Sequence, residues 1–354
     1  MHMSCLARLG TLAALVGVTA CADGIPVAPN ATTTLTSPLA ASSALAPVTT
    51  IALTGDNVSV SPVLAELNSQ LAATGSPIAI SKAELLMDGN EWDGVSSNIL
   101  IADDRSRGFG AEWVPHDPRR DGRVGVTWTF GSSHPLQPYT RDPNGLNVRR
   151  VPFAQLDTQI EEGLGTWRGE SCSGAPITRV AIAPGIDPDF LDDYFRTGHP
   201  SATYYQPADI VESGWEPLSF FQRFAGASGQ NIIGVTFTFI FVDANNQPTD
   251  IDHDGNRDVA LSEIYYNTRF AWGNNAARNV VDFYSIITHE TGHSLGLAHF
   301  GKVFITRHDA ADGISIADIK YAPKAMMNAV YVTGRNELAG TDNSSFCQIW
   351  ASKN

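Results

Sequence analysis

At 354 residues with 43% hydrophobic content, the chain has enough apolar material for one large domain or two small ones, which excludes a wholly disordered protein. Lys plus Arg number 23 against 37 for Asp plus Glu, and the resulting charge of −14 repels nucleic acid and anionic lipid alike. Polyanion binding is thereby excluded, and no nucleic-acid partner is expected.

Residues 1–20 carry Arg8 and then an apolar stretch ending in small residues, the layout of an export signal and too short to span a bilayer. Val18, Thr19, Ala20 and Cys21 match a bacterial lipobox, in which cleavage precedes a cysteine that is then acylated. Two readings stand: a lipoprotein anchored through Cys21, facing the periplasm or the outside, or an ordinary signal peptide and a secreted protein. Both predict export. Residues 21–50 are Ala, Thr, Ser and Pro with almost no charge or large apolar group, which predicts a disordered tether. Residues 51–90 read as an N-terminal extension: Leu64, Leu67 and Leu71 mark a short amphipathic helix, stopped by Gly75 and Pro77, before the alternation of Ile78 and Ile80.

A main domain is expected over residues 91–354. Val124, Val126, Trp128 and Phe130 alternate as a strand; Phe153, Leu156, Ile160 and Leu164 fall at helical spacing up to Trp167. Val235, Phe237, Phe239 and Phe241 form a second strand and residues 263–266 a third. After loss of the signal and lipidation of Cys21, only Cys172 and Cys347 remain. In an oxidising compartment they form one disulfide, worth about 5 kcal/mol in the chain-entropy account, or else stay as two separate buried thiols. Asp250, Asp252, Asp254, Asn256 and Asp258 place oxygen ligands at alternate positions around Gly255. A standard EF-hand is excluded, because Leu261 stands where its bidentate Glu belongs. Calcium binding and a solvated acidic turn both remain open readings.

Residues 289–299 carry the chemistry. His289, Glu290 and His293 form H-E-x-x-H, and on a helix histidines at i and i+4 project from one face toward a shared point suited to Zn²⁺. Gly296 lets the helix end in a left-handed turn that returns His299 as a third ligand. Three protein ligands leave one position open, the catalytic rather than the structural arrangement. Glu290 points beside the metal, where a general base takes a proton from the attacking water. With 9 His and 31 Gly in the chain, chance would produce these five fixed positions in on the order of 10⁻⁵ of shuffled sequences. Asp282 is the expected N-cap of this helix.

The extended pattern H-E-x-x-H-x-x-G-x-x-H resembles the metzincin clan of zinc endopeptidases, in which a methionine-containing turn follows the motif. Ala325, Met326 and Met327 fit that turn, with Met327 beneath the metal. Ser294-Leu295-Gly296-Leu297 inside the motif looks most like the matrixins. The resemblance implies an α+β, zincin-like domain: a mixed twisted sheet, a backing helix near 153–168, the zinc helix and a C-terminal helix over 342–350. It makes 263–266 the edge strand that pairs with extended substrate, and on that layout Cys172 and Cys347 would staple the first helix to the last, a link that is not part of the matrixin pattern. It implies a monomeric endopeptidase acting on polypeptides, with Zn²⁺ and, as matrixin-like enzymes often carry structural calcium, Ca²⁺ as a second cofactor to weigh. Three departures qualify it: the N-terminal region lacks a matrixin-type cysteine propeptide, Ala329 stands where astacin-like relatives have a metal-binding tyrosine, and residues 186–230 read as an insertion shaping the cleft. The competing reading is a non-catalytic, zinc-containing surface-binding lipoprotein, against which Glu290 argues, because a closed structural site needs no base.

Overall fold

Hydrophobic periodicity forms the elements that position the histidine motif. The computed structural model describes residues 62–89, 99–101, 110–131, 136–141, 148–172, 176–183, 186–198, 208–274, 280–305, 319–331 and 337–351. All lie within the unit Leu45–Asn354. The export signal, Cys21 and the tether lie outside the described residues. None of the described helices is long and apolar enough to cross a membrane.

The fold is α+β with a mixed sheet. Its strands are β1 (Ile78–Asp88), β2 (Ile99–Ile101), β3 (Ala111–Glu112), β4 (Val126–Phe130), β5 (Ile177–Arg179), β6 (Ile210–Glu216), β7 (Ile232–Phe241), β8 (Arg257–Asn267) and β9 (Val330–Tyr331). The helices are α1 (Pro62–Ala73), α2 (Phe153–Arg168), α3 (Leu191–Thr197), α4 (Leu218–Ala225), α5 (Phe283–Ser294) and α6 (Gly340–Trp350). The strand order is β9-β1-β7-β8-β6-β4-β5, with β2 on β1 and β3 on β8. From β8 through β6 and β4 to β5 every pairing is parallel, whereas β7 runs antiparallel to both β8 and β1.

Every residue of β7 is buried, as a strand covered on both faces requires. Val235, Phe237 and Phe239 join one apolar cluster with Leu64, Leu67 and Leu71 of α1 and the phenylalanines of α3 and α4. Ile233 and Ile240 join the other, which holds Leu156, Ile160, Leu164 and Trp167 of α2, Ile286 and Ile287 of α5, and Phe346 and Trp350 of α6. The sheet is thus sandwiched between two helical layers. The stripe at 156, 160 and 164 aims α2 at α5, and glycine makes the approach close: a Cβ at Gly163 would stand 2.5 Å from Ile287 Cγ2 and 3.2 Å from the Thr288 nitrogen. One turn later Trp167 Nε1 donates to the Thr288 carbonyl at 2.8 Å. A disulfide joins Cys172, just past α2, to Cys347 in α6, with Cα atoms 5.3 Å apart.

Three expectations require correction. Residues 62–88 are no appendage: β1 pairs with β7 from Ile78 opposite Phe241 to Met87 opposite Ile232, so the described fold begins at 62 rather than 91. Residues 263–266 are no edge, since β8 lies between β7 and β6. Residues 186–230 are no simple insertion, because they supply β6, buried at all seven positions between β4 and β8. A buried ion pair fixes that placement. Arg120 Nε donates to Asp209 Oδ1 at 3.0 Å, while the Thr127 nitrogen donates to Asp209 Oδ2 at 2.7 Å, tying the start of β6 to β4.

The α2–α5 contact sets the depth of the motif helix. Gly163→Val should therefore destabilise the protein by about 1–3 kcal/mol through overpacking, measured as a lower urea midpoint at unchanged slope.

Candidate metal centre

Helix α5 starts where expected: Asp282 Oδ2 accepts from the Ser285 nitrogen at 2.9 Å and from Ser285 Oγ at 2.6 Å. The helix carries His289 and His293 on one face. Gly296, at φ +98°, reverses the chain, and His299 closes the group. The three Nε2 atoms stand 2.9–3.0 Å apart, and the rings are buried, 1–2% exposed.

The tautomers follow from the outer nitrogens. His289 Nδ1 lies 2.7 Å from the Met326 carbonyl and His293 Nδ1 2.7 Å from the Leu297 carbonyl. A carbonyl only accepts, so in both rings Nδ1 carries the proton and the Nε2 lone pair faces inward. The bare Nε2 atoms of His289 and His293 face each other at 3.0 Å, a repulsion that a bound cation relieves. Protonation is a poor remedy, because burial and then the neighbouring His299 and His289 hold His293 well below the usual histidine range. Zn²⁺ bonds of about 2.0–2.1 Å in a tetrahedral shell space ligand nitrogens about 3.3 Å apart, close to this triangle. The donor set and spacing therefore fit zinc, and the described residues include a buried histidine triad that could hold a metal.

Met327 lies under the helix, where a Cβ on Gly292 would meet its sulfur at 2.5 Å. The turn before it is clamped by Asp342 of α6, whose carboxylate accepts from the nitrogens of Met326, Met327 and Ala339 at 2.8, 3.1 and 2.7 Å. The Met327 carbonyl in turn accepts from the Phe300 nitrogen at 3.1 Å, next to His299.

Glu290 is wholly buried. Thr236 Oγ1 of β7 lies 2.7 Å from Glu290 Oε2 and 3.0 Å from the Glu290 carbonyl oxygen. Oε1 has no hydrogen-bond partner among the described residues and sits over Gly234, where a Cβ would come within 2.7 Å of it. Burial, reinforced by the charges of Glu84 and Glu212 and opposed by the Thr236 hydrogen bond, pushes the Glu290 carboxyl well above the usual range. Glu84 comes from β1. Its Oε2 lies 3.0 Å from Lys82 Nζ and 3.3 Å from His293 Nδ1, in a buried ion pair.

Sequence reasoning singled out the three histidines, Glu290, Gly296 and Met327, all of which the fold brings together, and Cys172 and Cys347, which it bonds. It missed Thr236, Glu84, Lys82, Glu212 and Asp342. The acidic loop divides. Asp250, Asp252 and Asp254 place carboxylate oxygens within 4.8 Å of one another, and Asp254 Oδ1 accepts from the Asn256 nitrogen. Asp258 leaves the group, a correction to the expected ligand set: it is buried on β8, where Oδ2 takes Arg119 Nη2 at 2.7 Å and Thr249 Oγ1 at 2.5 Å. A second cluster, Asp187, Asp189 and Asp192, was not read from the sequence.

No family model matches the chain, and no curated protein matches it either.

Two outcomes test the site. His299→Ala should leave two nitrogens and lower zinc affinity at least 100-fold, read by competition with a chromogenic chelator, with the disulfide and far-ultraviolet spectrum retained. Glu212, wholly buried beneath α5, is raised by burial from its ordinary 4.5 to about 8, although Tyr266 and Thr291 donate to it. A carboxyl whose folded pKa exceeds its unfolded value binds more protons when folded, so its contribution is full below pH 4.5 and declines as pH rises toward 8. Urea melts of the zinc-free protein at pH 5 and pH 8 should show Glu212→Gln suppressing a loss on the order of 3 kcal/mol.

Proposed function

We propose that this chain is a zinc-dependent endopeptidase of the metzincin type, most like the matrixins, exported and held to a bacterial membrane through Cys21. The observation that carries the reading is the convergence of three Nε2 atoms 2.9–3.0 Å apart, with buried Glu290 on the same helix keeping one oxygen unengaged among the described residues. Zinc, when bound there, supplies Lewis-acid polarisation of a carbonyl and acidifies water. The protein's residues do the rest. His289 and His293 are fixed in one tautomer by carbonyls of the Met326 turn and of Leu297. Thr236 holds Glu290 Oε2, leaving Oε1 to accept the proton of the attacking water. The water oxygen bonds to the scissile carbonyl carbon, the carbon–nitrogen bond breaks, and Glu290 returns its proton to the leaving amine.

One observation favours a second reading, a structural zinc in a binding lipoprotein: the histidines and Glu290 are enclosed, 0–2% exposed. One assay separates the two. Zinc-loaded protein, both intact and with β1 proteolytically released, is offered a denatured protein substrate. Hydrolysis that a chelator stops, zinc restores and Glu290→Gln lowers by about 10²–10⁴-fold at unchanged zinc content is expected. Stoichiometric zinc with no hydrolysis in either form, or a Glu290→Gln variant as fast as the parent, would sink the peptidase reading.

A further inference from the structure

A peptidase site must admit a polypeptide main chain, yet here the base is wholly buried and the histidines nearly so. What encloses them is identifiable. The carboxylate of Glu290 rests on Gly234 and Thr236 of β7. The outer edge of β7 at those residues is not open: Glu84 of β1 stands opposite Thr236, and Leu86 opposite Gly234. On its other side β1 pairs in parallel with β9, Met87 opposite Val330 and Asp88 opposite Tyr331, directly after the Met327 turn. The Met87 nitrogen donates to the Ala329 carbonyl at 3.4 Å. β1 thus runs between the strand that holds the base and, on its outer side, β2 at Lys82 to Glu84 and the strand that follows the Met327 turn at Met87 and Asp88.

Its side chains divide as its two faces require. Ala83, Leu85 and Met87 join the cluster with α1, α3 and α4, away from the histidine helix. Lys82, Glu84 and Leu86 alternate with them. Glu84 reaches His293 Nδ1 at 3.3 Å, Lys82 neutralises it, and Leu86 enters the cluster that holds Ile286, Ile287, Met327 and Tyr331. An extended chain, hydrogen-bonded along a sheet edge, with one aliphatic side chain sunk beside the base, is how a sheet receives a polypeptide by strand addition.

We infer that β1 is a resident strand occupying the polypeptide-binding edge of β7, that it keeps the site shut, and that an extended polypeptide substrate takes the same edge with an aliphatic side chain in the place of Leu86. The inference rests on the peptidase reading for its catalytic consequence alone; occupancy of the edge is independent of it. Residues 62–88 are therefore an inhibitory element rather than a plain support of the sheet. Displacement is not spontaneous, because the leucines of α1 and nine paired positions along β7 hold the strand in place.

The test uses the full zinc-loaded chain with a recognition sequence for a site-specific protease inserted between Asp88 and Ile99, compared before and after cutting and release of the upstream segment in mild denaturant. The expected result is a rise of at least 100-fold in kcat/KM for an unfolded polypeptide and extraction of zinc by a chelator at least tenfold faster. A synthetic peptide spanning residues 78–88 should then slow both, and the same peptide with Leu86→Asp should bind at least tenfold more weakly. Faster zinc extraction and peptide binding without hydrolysis would keep the strand assignment and remove the peptidase reading. An intact chain that hydrolyses and loses zinc as fast as the cut one would keep the peptidase and overturn the strand assignment. Should release unfold the protein, the uncut Leu86→Asp variant supplies the comparison: faster zinc extraction than the parent upholds the proposal, and an unchanged rate overturns it.

Discussion

Three imidazole nitrogens crowd one place, two of them with bare lone pairs that repel each other, and most of the architecture around α5 serves to hold them there. The outer nitrogens of His289 and His293 are spent on carbonyls, which fixes both rings and leaves the inner nitrogens bare. Those carbonyls must be fixed too. Leu297 is placed by the reversal at Gly296, and Met326 by the Asp342 carboxylate, which accepts from two successive nitrogens of the turn. Asp342 sits in the first turn of α6, and α6 is bonded through Cys347 to Cys172 at the end of α2. Because α2 is seated against α5 at Gly163 and Trp167, the support forms a closed circuit from helix to turn to helix and back. Removing the disulfide would loosen the turn as well as the unfolded-state constraint.

The electrostatics around the base follow a different logic. Glu84, Glu212 and Glu290 are all wholly buried, and desolvation is the largest influence on each, in the direction of the neutral acid. Lys82 is the partner that offsets one of these charges. A buried ion pair is a weak source of stability but a strong source of registry, because leaving either partner alone is costly. Sliding β1 along β7 by two residues would separate the Lys82–Glu84 pair from His293 and move Leu86 away from Gly234. The pair thereby helps to specify where the strand stops.

The local signals were legible. The motif helix, its Asp282 cap, the helix at 153–168 and the strand through Phe237 and Phe239 each depend on periods of 3.6 or 2 within a few residues, which a sequence displays directly. Strand order is another matter. That 263–266 would lie inside the sheet depends on which strands flank it, and these are 232–241 on one side and 210–216 on the other, while the edge of 232–241 is in turn covered by 78–88, far away in the chain. The alternation at Ile78 and Ile80 marks a strand but not its neighbours, and nothing local shows that Lys82 and Glu84 are buried as an ion pair against a histidine. Asp258 misled in the opposite sense. Alternate aspartates look alike in sequence, but Asp258 is already on β8, where Arg119 claims it. Thr236 carries no sequence signal at all, since a threonine in a strand is ordinary until the helix beneath it supplies a carboxylate.

The enclosed state and the chemistry of the triad are compatible because they draw on different parts of the same strand. Main-chain bonds to β7 are indifferent to sequence, so any extended chain could form them. What distinguishes β1 is tethering and anchorage: it is part of the same molecule, and α1 packs its leucines under the sheet's opposite face. Tethering raises the local concentration of the strand far beyond that of a free polypeptide, so an untethered competitor with equal contacts loses. Once the upstream segment is severed that advantage disappears, while the groups that recognise a main chain, the edge of β7 and the turn before β9, are left unchanged.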